Sequence, residues 1–121
     1  MIRILLYDEE IEERRQLCKQ ILKYYEAYKL VVQISEFEDY VSVLDALKKE
    51  NFELVVIAQD GTFSLEVVDR VRHMKPDIKL LWCSDLDFAI RSYDVQAKYF
   101  LKKPISEETL AQALKKCELT S

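Results

Sequence analysis

Acidic, hydroxyl and lysine side chains stand at the ends of short apolar runs in this sequence. Asp8 and Glu9 end the first run, Ser84 ends a later one, and Lys103 ends the last. Carboxylate pairs are candidate ligands for Mg²⁺, which takes oxygen ligands, although acids at a helix start also simply favour its positive end. A middle run ends instead in Ala58, whose methyl group can neither bind a metal nor act as a nucleophile. The chemistry of these positions depends on whether the fold brings them together.

The elements that must position these residues alternate between strand-like and helix-like patterns. Short, mostly apolar runs predict buried strands at residues 2–7, 30–34, 54–58, 78–83 and 99–101. A helical pattern follows each strand. In the first helix, residues spaced seven, four and three apart predict one apolar face: Ile11, Cys18, Leu22 and Tyr25. The same pattern turns four polar side chains toward water: Glu12, Glu13, Arg15 and Lys19.

The later helices carry start and stop signals. The third helix should end before Pro76, because proline disfavours helical backbone in the residue before it. A short helix is predicted near residues 87–94. The last helix should begin after Ser106, which suits the N-cap, and Lys115 and Lys116 suit its negative end.

Five strands alternating with five helices predict a doubly wound α/β fold with a five-stranded parallel sheet. In such sheets, ligands bind beyond the carboxyl ends of the strands, where the chain order reverses. The polar residues that end the apolar runs are therefore expected to gather at one edge of the sheet.

Composition limits the possible functions. The 121 residues fit one domain, 1–121, and 22 acidic against 18 basic residues give a net charge of −4, which disfavours direct nucleic-acid binding by this segment. The three cysteines form no metal-binding or disulfide pattern, and no run of about 20 apolar residues predicts a membrane span. We expect a cytoplasmic protein.

The residues that end the apolar runs resemble the active-site pattern of a known family. An acid pair, an acceptor position, a hydroxyl residue and a Lys-Pro step, in this order, are similar to the active site of response-regulator receiver domains. The similarity covers essentially the whole chain, and residues 84–105 look most like receivers attached to LytTR-type DNA-binding domains. The resemblance implies a receiver (flavodoxin-like) sheet with strand order 2-1-3-4-5.

The resemblance also implies roles for individual residues. Asp8 and Glu9 match the acid pair that helps to hold Mg²⁺, with Glu9 in place of the more frequent Asp. Ser84 and Lys103 match the residues that contact the phosphoryl group, and Phe100 matches an aromatic residue that reports activation. Ala58 lies where the family has its phospho-accepting Asp, so this sequence departs from the pattern at the reacting atom.

That departure predicts an atypical receiver, a pseudo-receiver that signals through protein contacts without phosphorylation, is not an enzyme and needs no cofactor. We hypothesise that Lys103, lacking an acidic partner at Ala58, pairs with Asp8 or Glu9. The alternative is a conventional phosphorelay receiver in which Asp60 is the acceptor and Mg²⁺ is bound. Asp60 precedes Gly61, however, which is typical of a turn.

A third possibility from another class is a small flavodoxin-type enzyme or nucleotide binder. The sequence contains a single glycine, Gly61, whereas phosphate-binding loops depend on several. This count disfavours nucleotide binding.

The region before and within the last strand predicts an interaction surface. Apolar and charged side chains mix there in the manner of a homodimer contact, as at Phe88, Arg91, Tyr93, Lys98 and Phe100. Receivers dimerise through the corresponding surface, although ordinary amphipathic packing gives the same pattern. The expected partners are proteins, including a second copy, and DNA only through a C-terminal effector domain, if one follows.

Overall fold

The computed structural model describes residues 1–119, in which strands and helices alternate along the chain. The elements are β1 (Ile2–Tyr7), α1 (Ile11–Ala27), β2 (Val32–Phe37), α2 (Tyr40–Lys49), β3 (Leu54–Ile57), α3 (Phe63–Met74), β4 (Lys79–Ser84), α4 (Arg91–Asp94), β5 (Tyr99–Lys102) and α5 (Glu107–Cys117). None of the helices in this range is both long and apolar enough to cross a membrane.

The strands form one parallel sheet in the order β2-β1-β3-β4-β5, as predicted. The chain order reverses at β1, which has β2 on one side and β3 on the other. This reversal opens a crevice at the carboxyl ends of β1 and β3, where Asp8 and Ala58 follow their strands.

The core consists of two layers, one on each face of the sheet. Alternate residues of β1 supply both layers because successive strand side chains point to opposite faces. Ile4 and Leu6 pack with residues of α1 and α5, whereas Leu5 and Tyr7 pack with residues of α2 and α3. Both faces of the central strands are therefore buried, which explains their continuous apolar runs.

The predicted face of the first helix was partly right: Tyr25 is buried and Cys18 packs against the core, as expected. Ile11 and Leu22 are 43% and 40% exposed, whereas Leu17 and Ile21 are buried. Arg14 is also buried, and its Nη1 donates a hydrogen bond of 2.8 Å to the carbonyl oxygen of Asp8. The helix is thus rotated relative to the predicted orientation, so that Arg14, Leu17 and Ile21 face inward.

Two other elements differ from the prediction by more than one residue. β2 begins at Val32, two residues later than predicted, because Lys29 (φ 58°) is in a left-handed turn and Ile2 pairs with Val32, and it ends at Phe37, three residues later than predicted. The helix predicted near residues 87–94 is reduced to the single turn of α4. The N-cap of α5 is confirmed, since the Ser106 side chain accepts a hydrogen bond from the Thr109 amide.

Candidate functional site at the carboxyl ends of the strands

The two residues of the acid pair point in different directions. Asp8 is buried, and the Glu10 amide donates a 2.9 Å hydrogen bond to its Oδ1. Its Oδ2 is also buried and has no hydrogen-bond donor among residues 1–119. Glu9 is exposed, and the Tyr7 hydroxyl donates a 2.8 Å hydrogen bond to its Oε2. Because Tyr7 belongs to the α2–α3 layer, this bond keeps Glu9 out of a shared carboxylate pair with Asp8.

Lys103 lies at the centre of the crevice. Its Nζ donates hydrogen bonds to the Ala58 carbonyl oxygen at 2.6 Å, to Asp60 Oδ1 at 2.7 Å and to Glu13 Oε1. Only 9% of the Lys103 side chain is exposed, against 34% for Glu13 and 53% for Asp60. The three donor positions of the ammonium group are therefore matched by three oxygens.

The hypothesis that Lys103 pairs with Asp8 or Glu9 needs correction. The lysine bonds instead to Glu13, from the first turn of α1, and to Asp60, from the loop after β3. The prediction that Glu13 faces water was also wrong, because the rotation that buries Arg14 and Leu17 turns Glu13 toward the crevice.

The charges in the crevice shift one another's pKa values. Burial by itself would lower the pKa of Lys103, but its hydrogen bonds to Asp60 and Glu13 hold that pKa above its ordinary value. Burial also opposes ionisation of Glu13, yet the neighbouring Asp8 carboxyl and the hydrogen bond from Lys103 lower the pKa of Glu13. The shift at Asp8 has the opposite sign: burial, and then the neighbouring Glu13 carboxylate, raise the pKa of Asp8. Glu13 is thus the ionised partner of the lysine, and Asp8 is the carboxyl that resists ionisation.

Ser84 is engaged by neighbouring residues. Its hydroxyl donates a 3.2 Å hydrogen bond to Asp85 Oδ1 and accepts one of 3.3 Å from the Leu86 amide. The Gly61 amide also donates to Asp85 Oδ1, at 2.8 Å, and this bond is the main cause of the lowered pKa of Asp85. Gly61 has a φ of 74°, which favours glycine, so the loop that carries Asp60 is a turn held to the loop after β4.

The residues of the crevice do not fit Mg²⁺. Ala58 has no side-chain ligand, its carbonyl oxygen is bonded to an ammonium group, and Glu9 is bonded to Tyr7. Within residues 1–119, no cluster of three or more His, Cys, Asp or Glu side chains could hold a metal ion. Asp8 alone cannot provide the octahedral oxygen environment that Mg²⁺ demands.

The five residues of the predicted interaction surface separate into two groups. Phe88 stacks on Trp82 at 4.9 Å between ring centroids, and Phe100 meets Trp82 edge to face at 5.4 Å, so both phenylalanines serve in packing. Arg91, Tyr93 and Lys98 are exposed, Tyr93 at 79%. This second group is thus more exposed than Phe88 and Phe100, which are only partly exposed.

Comparison with solved structures identifies the fold. The chain is similar to the response regulatory domain of the protein mrkE from Klebsiella pneumoniae, with a TM-score of 0.78 at 14% identity, covering 96% of this chain and 94% of that one. A response regulator receiver domain protein from Clostridium thermocellum gives a TM-score of 0.77 at 15% identity over 97% and 94% of the two chains. The fold is that of response-regulator receivers.

Sequence comparison gives relatives of the same kind. The sensory transduction protein LytT of Bacillus subtilis is 26% identical over 119 residues, 96% of this chain and 48% of the relative. The positive alginate biosynthesis regulatory protein of Pseudomonas aeruginosa is 29% identical over 115 residues, 93% of this chain and 46% of the relative. The chain thus spans about half the length of these relatives. No protein-family model matches it.

Proposed function

We propose that this chain is a response-regulator receiver domain that takes part in signal transduction through protein contacts and without phosphorylation. The proposal also makes the chain the regulatory part of a longer transcription regulator, because the relatives it matches are about twice its length. Any contact with DNA then lies outside this segment.

The observation that carries the proposal is the environment of Ala58. This residue follows β3 at the crevice, is fully buried and presents a methyl group where a phosphoryl acceptor needs an oxygen nucleophile. The ammonium group of Lys103 bonds to the backbone carbonyl of Ala58 itself. The cation that would contact a phosphoryl group is thus already committed to oxygens of the protein.

The ion pairs of Lys103 give the crevice a fixed set of charges, in place of the charge that a phosphoryl group would add or remove. Glu13 is ionised and Lys103 is charged, so the crevice holds one charge arrangement near neutral pH without a covalent group. In this proposal, signalling does not begin with chemistry in the crevice but with the binding of a protein to an exposed surface, and the chain performs no enzymatic reaction.

The exposed part of α4 and the segment before β5 is the proposed contact surface. Ile90 and Tyr93 are 83% and 79% exposed, and Arg91 and Lys98 make no ion pair within residues 1–119. Apolar side chains surrounded by unpaired charges suit a homodimer contact. Self-association measured by sedimentation should weaken at least about tenfold in Arg91→Glu/Lys98→Glu, which reverses two charges. Lys19→Glu, on α1, should have no effect, and unchanged self-association of the double variant would remove this surface from the proposal.

Phosphorylation itself can be tested by mass spectrometry. The protein is incubated with acetyl phosphate and Mg²⁺, and the intact mass is measured for the wild type and for Ala58→Asp, which restores a carboxylate after β3. We expect no phosphate on the wild type and phosphate on the variant. A covalent phosphate on wild-type protein would overturn the proposal.

A second candidate function is supported by the contact between Asp60 and Lys103. This carboxylate lies 2.7 Å from the lysine Nζ and is half exposed, so a phosphoryl donor can reach it. If Asp60 is the acceptor, the wild type becomes phosphorylated, Asp60→Asn does not, and millimolar Mg²⁺ raises the melting temperature. Loss of the label in Asp60→Asn would establish the conventional phosphorelay function in place of the proposed one.

A further inference from the structure

The two edge strands of the sheet, β2 and β5, differ in how their free edges are protected. β5 spans four residues and ends at Lys102, and Pro104 follows two residues later. β2 spans six residues and contains neither lysine nor proline, and its one charged side chain, Glu36, is paired with Arg14 at 3.2 Å. Short strands, lysines and prolines are common means by which a sheet edge avoids pairing with another chain. β2 has none of these, so its edge is open to pairing with a further strand.

The register with β1 determines which backbone groups lie on the free edge of β2. At the start of the pair, the Ile2 amide donates a 3.1 Å hydrogen bond to the Val31 carbonyl oxygen. At its end, the Asp8 amide donates one of 3.2 Å to the Phe37 carbonyl oxygen. The register between these bonds is continuous and backbone groups alternate in direction along a strand, so the odd-numbered residues of β2 bond to β1. Three residues of β2 therefore direct their N–H and C=O groups outward, away from β1: Val32, Ile34 and Glu36.

A partly exposed apolar stripe of α1 lies beside this edge. Ile11 and Leu22 are 43% and 40% exposed, and with Cys18 they recur at steps of seven and four residues, which places them on one face of the helix. Burial and the neighbouring Glu36 carboxylate raise the pKa of the Cys18 thiol to about 11, so this face of α1 adjoins β2. A strand added to β2 therefore also covers apolar side chains of α1 that a single copy of the chain leaves partly exposed.

We propose that the added strand is β2 of a second copy of this chain, paired antiparallel about a two-fold axis at Ile34. In this register Ile34 lies opposite Ile34 of the second copy, and Val32 lies opposite Glu36 of the second copy. Residues opposite one another in such positions exchange both backbone hydrogen bonds, so the three outward residues of each copy are all satisfied, with six hydrogen bonds between the copies. The same surface serves both copies, and the two α1 stripes come to the same face of the joined sheet.

The charges beyond the two ends of β2 favour a second copy as the partner. Lys29 precedes the strand, whereas Glu38 and Asp39 follow it; all three are exposed, and none takes part in an ion pair within residues 1–119. A two-fold axis at Ile34 brings Lys29 of one copy level with Asp39 of the other, so opposite charges meet at both ends, whereas a parallel copy would bring like charges together. β2 and β5 are opposite edges of the sheet, so this contact stands or fails separately from the proposed function.

Amide hydrogen exchange tests the backbone pairing, measured by NMR on Arg91→Glu/Lys98→Glu so that the proposed α4 contact does not contribute. Six backbone hydrogen bonds predict a dissociation constant on the order of 100 μM. Between protein concentrations about tenfold below and about tenfold above this constant, exchange at the three outward amides of β2 should slow about fourfold. The Tyr99 amide, which points outward from the β5 edge, should keep its rate. No slowing at β2, or equal slowing at Tyr99, would overturn the proposal.

Charge reversal tests the antiparallel orientation in the same parent protein. Lys29→Glu and Glu38→Lys change exposed side chains and leave Asp39, the N-cap of α2, in place. Each should raise the dissociation constant measured by sedimentation at least about threefold at low salt, and the two together, which exchange the charges, should restore it to within about twofold. Lys116→Glu, an exposed change on α5, should have no effect. If the combined variant associates more weakly than either single variant, or if Lys116→Glu weakens association equally, the pairing of β2 with a second copy is wrong.

Discussion

Lys103 and Arg72 are two half-buried cations whose hydrogen-bond acceptors are of different kinds. Lys103, at the carboxyl ends of the strands, is paired with the carboxylates of Glu13 and Asp60. Arg72, near the C-terminus of α3, bonds only to backbone carbonyls, those of Lys75, Pro76, Ile78, Val95 and Gln96, at 2.7 to 3.2 Å. One cation is held by groups that titrate and the other by groups that do not.

The two cations therefore differ in how they respond to solution conditions. Burial lowers the pKa of Arg72, but a guanidinium stays charged over the whole accessible pH range, so its five bonds fasten the end of α3 to the start of β4 and to the segment before β5. The bonds of Lys103 depend on the ionisation of its partners and so respond to pH, to substitution and to a competing anion.

The largest expected effect comes from Arg72→Met. This change removes the donor to five carbonyls, several of which are partly buried, and should lower the free energy of unfolding by about 3 kcal/mol. Urea denaturation measures the loss, which should not vary with pH because no partner titrates. Arg70→Met, an exposed change on the same helix, is the control, and equal stability of the two variants would mean that the carbonyl cluster is not structural.

Lys103→Met should cause the next largest loss in the free energy of unfolding, and this loss should vary with pH. Without the ammonium group, the carboxylates of Glu13 and Asp60 lose their shared counter-ion, so we expect the free energy of unfolding to fall by about 2 kcal/mol at neutral pH. The raised pKa of Lys103 means that its contribution is fully present below its unfolded pKa of about 10.4 and is lost as pH rises through the higher folded pKa. Denaturation from pH 6 to 11, with the exposed Lys102→Met as control, checks both points. A pH-independent loss would erase the contrast with Arg72.

Glu13→Gln tests the acidic side of the same ion pair. Because the folded pKa of Glu13 is lowered, its contribution is present above the unfolded pKa of about 4.3 and is lost as pH falls through the folded pKa. The variant should lose about 1 kcal/mol at pH 7, and the difference from the wild type should shrink toward pH 3. Glu12→Gln, one residue away and exposed, should show no such trend. A stability difference between Glu13→Gln and the wild type that stays constant with pH would mean that Glu13 stabilises the fold by packing and not by its charge.

The sequence predicted the fold better than the detail of the crevice. Buried strands are recognisable because both faces of the sheet are covered, and the alternation of elements then leaves few topologies. The first helix was misread because Ile11 and Leu22 suit an apolar face as well as Leu17 and Ile21 do, and hydrophobicity alone cannot choose between two stripes. The hydrogen bond from Arg14 to the carbonyl oxygen of Asp8, on the buried side of the helix, is a tertiary contact that helical periodicity does not predict.

Glu13 was missed for the same reason, although the sequence contains a signal for it. Glu13 lies four residues before Leu17 and eight before Ile21, so choosing the Leu17 stripe places its carboxylate beside the buried face and near Asp8. The identity of Ala58 could be read directly, because the strand before it fixes the position of the residue. The partners of Lys103 could not be predicted in this way, because a lysine side chain is flexible and bonds to whichever oxygens the folded loops bring near it.

The smallest expected effect is that of Asp60→Asn. Asp60 is bonded to the same lysine as Glu13, but 53% of its side chain is exposed, so water and salt screen the pair and its removal should cost less than about 0.5 kcal/mol. A double-mutant cycle of Asp60→Asn with Lys103→Met, measured by urea denaturation, isolates the pair, and the cycle of Glu13→Gln with Lys103→Met is the matched comparison. The Glu13 coupling should be larger and should persist in high salt, whereas the Asp60 coupling should vanish there. If Asp60 couples as strongly as Glu13, the loop after β3 is part of the fixed charge arrangement, and its carboxylate is not free to accept a phosphoryl group without disturbing the fold.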